Sequence, residues 1–371
     1  MTSHPHFPAS EAARRQSGFS LVELMVALAI GLALVIVISY AYLGSKQTFR
    51  VQDALSRMQE NARFVFETMT FDIRMAGFTG CPTTTTPINV LNNSTDWDKD
   101  LLNFPLVGYE AGAIPITLTG VYGNVLRGDA LTVLRGSEVE SIVASGGHQS
   151  ASGTALFTLH AGTTHDIPRG EMAIVTDCTQ QAIFQMTNSS TATIEHRTGI
   201  GTPGNATAAL GTPLGTTYTF PGGSRIMRML SVNYHIRNNA NNEPALVRLR
   251  RAADSSGNAI RVVEELVEGV QDMQITYGVD TSPTADNIVD DYLQADQIVV
   301  GGAVPGTTAI EVWRRVVSVR ISLLLASTGS DAYTKEAQTY TFNGSTTKPT
   351  DRRLRKVFNT TIAVRNRPPL L

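Results

Sequence analysis

From Phe19 to Leu43 the chain is an apolar run long enough to cross a bilayer, interrupted by a single acid, Glu23. Nothing else in the sequence restricts the fold as much, because a segment in lipid must satisfy its own backbone and so becomes a helix. A secretory signal has a shorter apolar region, about 7 to 15 residues, with a small-residue exit, and neither property fits here. The preceding polar stretch ends in Arg14, Arg15, Gln16, Ser17 and Gly18, which favours a cytoplasmic N-terminus, although Lys46 and Arg50 beyond the run oppose that bias. A carboxylate inside a membrane costs about 2.5 to 3.5 kcal/mol on insertion scales, so Glu23 requires a partner or a functional reason.

No proline occurs between Pro8 and Pro82, so one helix is expected from about Ser20 to Ala76, of order 85 Å at the helical rise, with Gly77 as its stop. Beyond the membrane, Val51, Leu55, Met58, Ala62, Val65, Met69 and Ile73 recur at steps of four and three and form one apolar stripe. The pairs Asp53/Arg57 and Arg63/Glu67 mark a solvated face. The stripe is expected to pack on the chain's own sheet rather than in a coiled coil.

After Cys81-Pro82 the texture changes to Thr, Gly, Asn and Pro punctuating short apolar runs at 130–134, 173–176 and 182–186, which read as strands. Strands are also expected at 230–237 and 245–251, flanking a hairpin loop at 238–244, and at 271–277, 317–323 and 356–364. Val232, Tyr234 and Ile236 alternate with Asn233, His235 and Arg237, as in a sheet with one buried face. These elements predict a four-stranded antiparallel sheet covered on one side by the helix. The fold class is therefore α+β: a long N-terminal helix on an antiparallel sheet, with an enlarged β-rich middle region. The expected divisions are 1–18, 19–43 for the transmembrane half of the helix, 44–77 for its amphipathic half, 78–224 for the β-rich middle and 225–371 for the C-terminal sheet. Residues 198–224, rich in Gly, Thr and Pro, mark the internal boundary or a long exposed loop.

The formal net charge of −2 gives no global basic field, and no direct nucleic-acid site is evident. Gly199-Ile-Gly-Thr-Pro-Gly204 matches a dinucleotide-loop pattern, but a proline interrupts it and no helix or distant acid follows, so it reads as a glycine-rich loop. His160, His165 and Asp166 read as solvated surface rather than a metal site. Asp280, Asp286, Asp290 and Asp291 have the composition of a calcium loop without its spacing and read as a polar loop. No catalytic motif, cofactor or metal site is expected. The two cysteines, Cys81 and Cys178, are too few for a cysteine zinc site; outside the cytoplasm they would pair, and otherwise they would be separate buried thiols. Residues 260–311 hold ten acids against one base and residues 314–371 eleven bases against three acids, so these segments either attract within one fold or offer complementary subunit contacts.

Gly18-Phe19-Ser20-Leu21-Val22-Glu23 resembles the class III signal of type IV pilins and type II secretion pseudopilins. That resemblance implies cleavage after Gly18 by a prepilin peptidase, removal of residues 1–18, N-methylation of Phe19, and pairing of Glu23 with the N-terminal ammonium of a neighbouring subunit. Residues 267–280, the block from Trp313 to Leu324 and residues 354–366 resemble the PilW family of minor pilins. This second resemblance implies a non-enzymatic minor pilin that helps prime fibre assembly and sits at or near the tip. Its implied partners are other minor pilins, the major pilin, the peptidase, the inner-membrane assembly platform and a tip adhesin. The implied location is the inner membrane, single-pass with a periplasmic C-terminal domain, and then the pilus. A J-class secretion pseudopilin is the first alternative, and a membrane-anchored periplasmic enzyme or binding protein the second.

Overall fold

The structure is a computed structural model that describes residues 18–81, 88–111, 113, 127–150, 155–211, 217–329, 333–334 and 336–366. Residues 1–17, with Arg14 and Arg15, and Pro82 lie outside the described residues. The chain divides into two compact units, Met1–Asp53 and Ala54–Leu371.

Helix α1 runs over Leu21–Met75, within a residue of each expected end. In the first unit its large apolar side chains, from Leu21 through Leu43, are exposed. In the second unit it buries Ala54, Met58, Ala62, Val65, Met69, Asp72 and Ile73. The expected stripe holds from Met58 onward, while Val51 and Leu55 are only half-buried because the buried line passes through Ala54. Asp72 is the addition that apolar periodicity could not supply. The helix stops at Gly77, whose φ of 78° suits glycine; its N–H donates to Leu134 O at 2.9 Å, and a Cβ there would stand 2.4 Å from Asn366 O.

The strands are β1 (Ile88–Asn89), β2 (Leu106–Tyr109), β3 (Ala130–Gln149), β4 (Leu156–Leu159), β5 (Met172–Thr176), β6 (Gln181–Gln185), β7 (Thr193–Glu195), β8 (Arg225–Asn238), β9 (Pro244–Ala253), β10 (Ala259–Glu268), β11 (Val270–Val279), β12 (Asp291–Leu293), β13 (Val316–Ala326), β14 (Tyr340–Phe342), β15 (Ser345–Thr347) and β16 (Arg355–Ala363). A 3₁₀ turn at Ala295–Gln297 and the short helix α2 (Ala309–Arg314) stand between β12 and β13. A ten-stranded sheet runs β1-β6-β5-β8-β3-β4-β7, with β2 on β3, β9 on β8 and β10 on β9. A four-stranded antiparallel sheet has the order β12-β11-β13-β16, and β14 and β15 form a separate hairpin.

The expected four-stranded sheet exists, but with different membership. Strands β8 and β9, joined by the expected hairpin loop with Asn238 opposite Pro244, belong to the large sheet, where β8 pairs with β3 and β5. The cause is non-local: Leu131–Leu134 of β3 and Val175 of β5 offer β8 long antiparallel partners about 50 to 100 residues upstream, which no local pattern announces. The large sheet thus takes strands from both sides of residue 224.

The expectation of one buried face on β8 is also corrected. Asn233 and His235 are buried together with Val232, Tyr234 and Ile236, because this strand lies deep in the sheet. The polar side chains satisfy one another: His235 Nδ1 lies 2.8 Å from Asn233 Oδ1, and Asn233 Nδ2 donates to Thr132 Oγ1 at 2.9 Å. Strands β5 and β6 are buried on both faces, with Ala173, Val175, Ala182 and Phe184 in one apolar cluster and Met172, Ile174 and Ile183 in another. Two-residue periodicity thus sorts one hairpin into two cores.

Candidate functional site

The helix mouth is built by four residues. Gly18 and Phe19 precede α1 and are exposed, Phe19 by 87%. The Ser20 N–H donates to Glu23 Oε2 at 2.9 Å, and the Glu23 N–H donates to Ser20 Oγ at 3.1 Å. This is a reciprocal capping box, which satisfies two of the donors a helix start leaves open and places a carboxylate at the positive end of the helix dipole. Downstream the exposed side chains are apolar until the polar turns after Leu43, apart from the two tyrosines Tyr40 and Tyr42 and from Ser39, whose Oγ donates to Val35 O at 2.7 Å. Chemically the segment can do three things: enter a bilayer, present an exposed peptide bond ahead of a capped helix, and offer one carboxylate to a cationic partner.

In the second unit, Cys81 and Cys178 form a disulfide, with Cα atoms 5.4 Å apart. Thr176 supports it, its Oγ1 accepting the Cys178 N–H at 3.1 Å. A few residues earlier, Asp72 joins α1 to the large sheet. Its Oδ1 accepts from Arg135 Nε at 2.9 Å and its Oδ2 from Tyr234 O–H at 2.5 Å, while Arg248 Nη1 lies 3.9 Å away. Burial first, and the Asp72 charge second, hold the Tyr234 phenol well above its ordinary range.

The segments weighed for ligand chemistry are occupied by internal bonds. Gln185 donates from Nε2 to Gly170 O, Thr202 O and Gly257 O and accepts the Gly204 N–H at 2.7 Å, so the Gly199–Gly204 loop is folded around a buried amide. His165, expected at the surface, is buried: Ile167 N–H donates to its Nδ1 at 3.2 Å, and Nε2 lies 3.3 Å from Thr193 O. Asp280 accepts the N–H groups of Ser282, Asp286 and Asn287 and pairs with Arg315 at 3.5 Å. Asp290 accepts from Thr281 and Ser282. Among the described residues no group of three or more His, Cys, Asp or Glu side chains is placed to hold a metal. The Arg315–Asp280 pair crosses between the acidic and basic segments, whereas Arg353 turns to Glu243 and Arg355 to Asp351.

Residues 13–39 match the family model described as the prokaryotic N-terminal methylation motif, and residues 233–366 match the model described as Type IV Pilus-assembly protein W. Over these two segments the chain is similar to type IV pilins of the PilW family. No curated protein and no solved structure matches it. The PilW match starts inside β8 and reaches past β16, so it takes in the end of the large sheet and the whole of the small one. The methylation motif covers the helix mouth and most of the exposed apolar helix, and the two together support membrane anchoring through this helix.

Sequence reasoning missed Asp72 and the His148/His196 pair. Asp72 stands three residues after Met69 and four before Ala76, on the stripe itself, which was its one available signal. His148 stacks on Phe157 with ring centroids 4.2 Å apart, and His196 lies 5.4 Å from His148 inside the aromatic core. Burial depresses them to about 4 and about 3, so both are neutral at pH 7.

Proposed function

We propose that the protein is a minor pilin, a non-enzymatic assembly factor that helps prime pilus assembly and sits at or near the tip. The observation that carries this reading is the conjunction, in one chain, of the methylation motif over an exposed apolar helix and the PilW match over the terminal sheets. In this reading the peptidase cuts between Gly18 and Phe19, and Phe19 becomes the N-methylated first residue. The new ammonium then stands one residue ahead of the Ser20–Glu23 box. A neighbouring subunit's ammonium neutralises Glu23 in a setting of low dielectric, where an opposite charge is attracted strongly and a lone one is costly.

The apolar helix stays in the inner membrane with its N-terminus cytoplasmic until assembly extracts it, and the sheet unit lies in the periplasm. The Cys81–Cys178 disulfide fits an oxidising compartment. Major and minor pilins, the prepilin peptidase, the inner-membrane assembly platform and a tip adhesin are the partners of this cycle.

The deciding experiment is the mass of the N-terminal peptide from membrane-extracted protein made in its own host. A peptide beginning at N-methylated Phe19 is expected, and one beginning at Met1 would overturn the reading. Gly18→Ala should remain uncut, and Glu23→Ala should be cut yet enter fibres poorly; normal piliation in a strain whose only copy is Glu23→Ala removes the pairing role.

A further inference from the structure

Two sheets of the second unit meet at Asp129, the residue just before β3. Its N–H donates to Met273 O at 2.8 Å, and its Oδ2 accepts the Ile275 N–H at 2.7 Å, so one residue holds the head of β3 against β11. Asp129 is 2% exposed. The titratable groups around it are Tyr109 and Glu110 at the end of β2, and Asp272 and Tyr277 on β11, with Arg127 near Asp272. Glu110 is itself fixed, its Oε1 accepting the Ala295 N–H at 2.8 Å. Asp129 Oδ1 and the Tyr277 hydroxyl, both buried, have no hydrogen-bond partner among the described residues. Packing at the seam is close enough that a Cβ on Gly108 of β2 would lie 1.7 Å from the Tyr277 hydroxyl oxygen.

A carboxylate in this position is withdrawn from bulk water and faces a second acid, Glu110. Burial foremost, with the charge and the side-chain contact of Glu110 adding to it, outweighs the lowering by the Ile275 and Ala111 N–H groups and pushes Asp129 up to about 7.

We infer that the joint between the two sheets is a proton-sensitive latch: a proton on Asp129 seals β3 to β11, and its loss leaves neighbouring carboxylates in a buried seam and loosens it. The inference stands on the second unit alone and does not depend on the proposed role in pilus assembly. In an opened joint Asp129 returns to about 3.9, the value of a solvated aspartate. The closed joint therefore holds a proton that the open one releases. Its stabilisation is complete below about pH 4 and is lost as pH rises through about 7.

The test follows amide hydrogen exchange of the full chain in detergent micelles, corrected for intrinsic rates, in peptides covering Asp129 and Ile275. Linkage between 3.9 and about 7 requires protection at the seam to fall roughly tenfold from pH 6 to pH 8.5, while peptides from β5 and β6 hold theirs. Asp129→Asn keeps the acceptor for Ile275 but cannot ionise, so its protection should be independent of pH over this range. Glu110→Gln keeps Asp129 and removes the neighbouring charge, so the fall should move to lower pH. Constant protection in the native chain, or the same tenfold fall in Asp129→Asn, overturns the latch. If Asp129→Asn does not fold, Glu110→Gln decides, and a pH curve superimposable on that of the native chain overturns it.

Discussion

Replacing Asp72 with alanine should be among the most damaging single changes available in α1. Asp72 is 1% exposed, and its two oxygens accept from Arg135 and Tyr234. Its removal strands a guanidinium whose side chain is 10% exposed and leaves a fully buried phenol without its acceptor. Breaking a buried ion pair from one side costs about 3 to 5 kcal/mol. Arg135 keeps some compensation, since Nη1 donates to Gly136 O at 3.2 Å and the guanidinium lies 4.9 Å from the Phe71 ring centre, so the lower half of that range is expected. For a unit of this size each kcal/mol moves Tm by roughly 1.5 °C, which places the loss at about 4 to 6 °C. The assay is thermal unfolding of the full chain in detergent, followed by near-ultraviolet circular dichroism from the buried Tyr234 and Tyr277. Asp72→Ala combined with Arg135→Met should recover part of the loss, because the stranded charge leaves with its partner. A single variant within 1 °C of the native chain, or a double variant that loses the sum of the two single losses, would refute the reasoning.

Three further outcomes are expected. Removing the Cys81–Cys178 bond, which spans a sequence separation of 97, should cost about 2 to 5 kcal/mol; thiol titration of the denatured protein should find none before reduction, and two free thiols would contradict the bond. Below pH 6.5 the unfolded chain takes up protons that buried His148 and His196 refuse, since both stand below their ordinary value, so stability should fall by about 2 to 3 kcal/mol per histidine at pH 4.5. His196→Phe should flatten that acid limb in urea melts at pH 7 and 4.5, and an unchanged slope would count against the account. Gly77→Ala combines a φ of 78° with a Cβ 2.4 Å from Asn366 O, so a loss of about 1 to 3 kcal/mol is expected in the same melts. Gly162→Ala, with a φ of 81° but nothing within 4 Å of the added Cβ, should lose less, and equal losses would remove the clash from the explanation.

Local information was enough for the parts of this fold that are local. The absence of proline and the glycine at 77 delimited α1, apolar spacing found Met58 through Ile73, and the polar loop at 238–244 announced its hairpin. Sheet membership was hidden because it depends on encounters between distant strands. Only 130–134 of β3 looked like a strand, yet the element continues to Gln149, past Gly136, Gly146 and Gly147, with shifts of register against β8 and β4. Charged residues were the hardest to place, since Asp72 and Asp129 look like surface positions until partners 63 and 146 residues away close over them. At the helix mouth the sequence motif named Gly18, Phe19 and Glu23, whereas the reciprocal bonding of Ser20 with Glu23 emerges only from the backbone geometry.

The disulfide also alters how the second unit answers a pull. Tension entering through the end of α1 reaches Cys81 six residues after Met75 and crosses the sulfur bridge directly to Cys178, just beyond β5 in the middle of the large sheet. The covalent route to the C-terminus therefore bypasses β1 through β5. Even if force tore the sheets apart, that segment would stay looped, and the greatest extension of the chain would be shorter by roughly 330 Å.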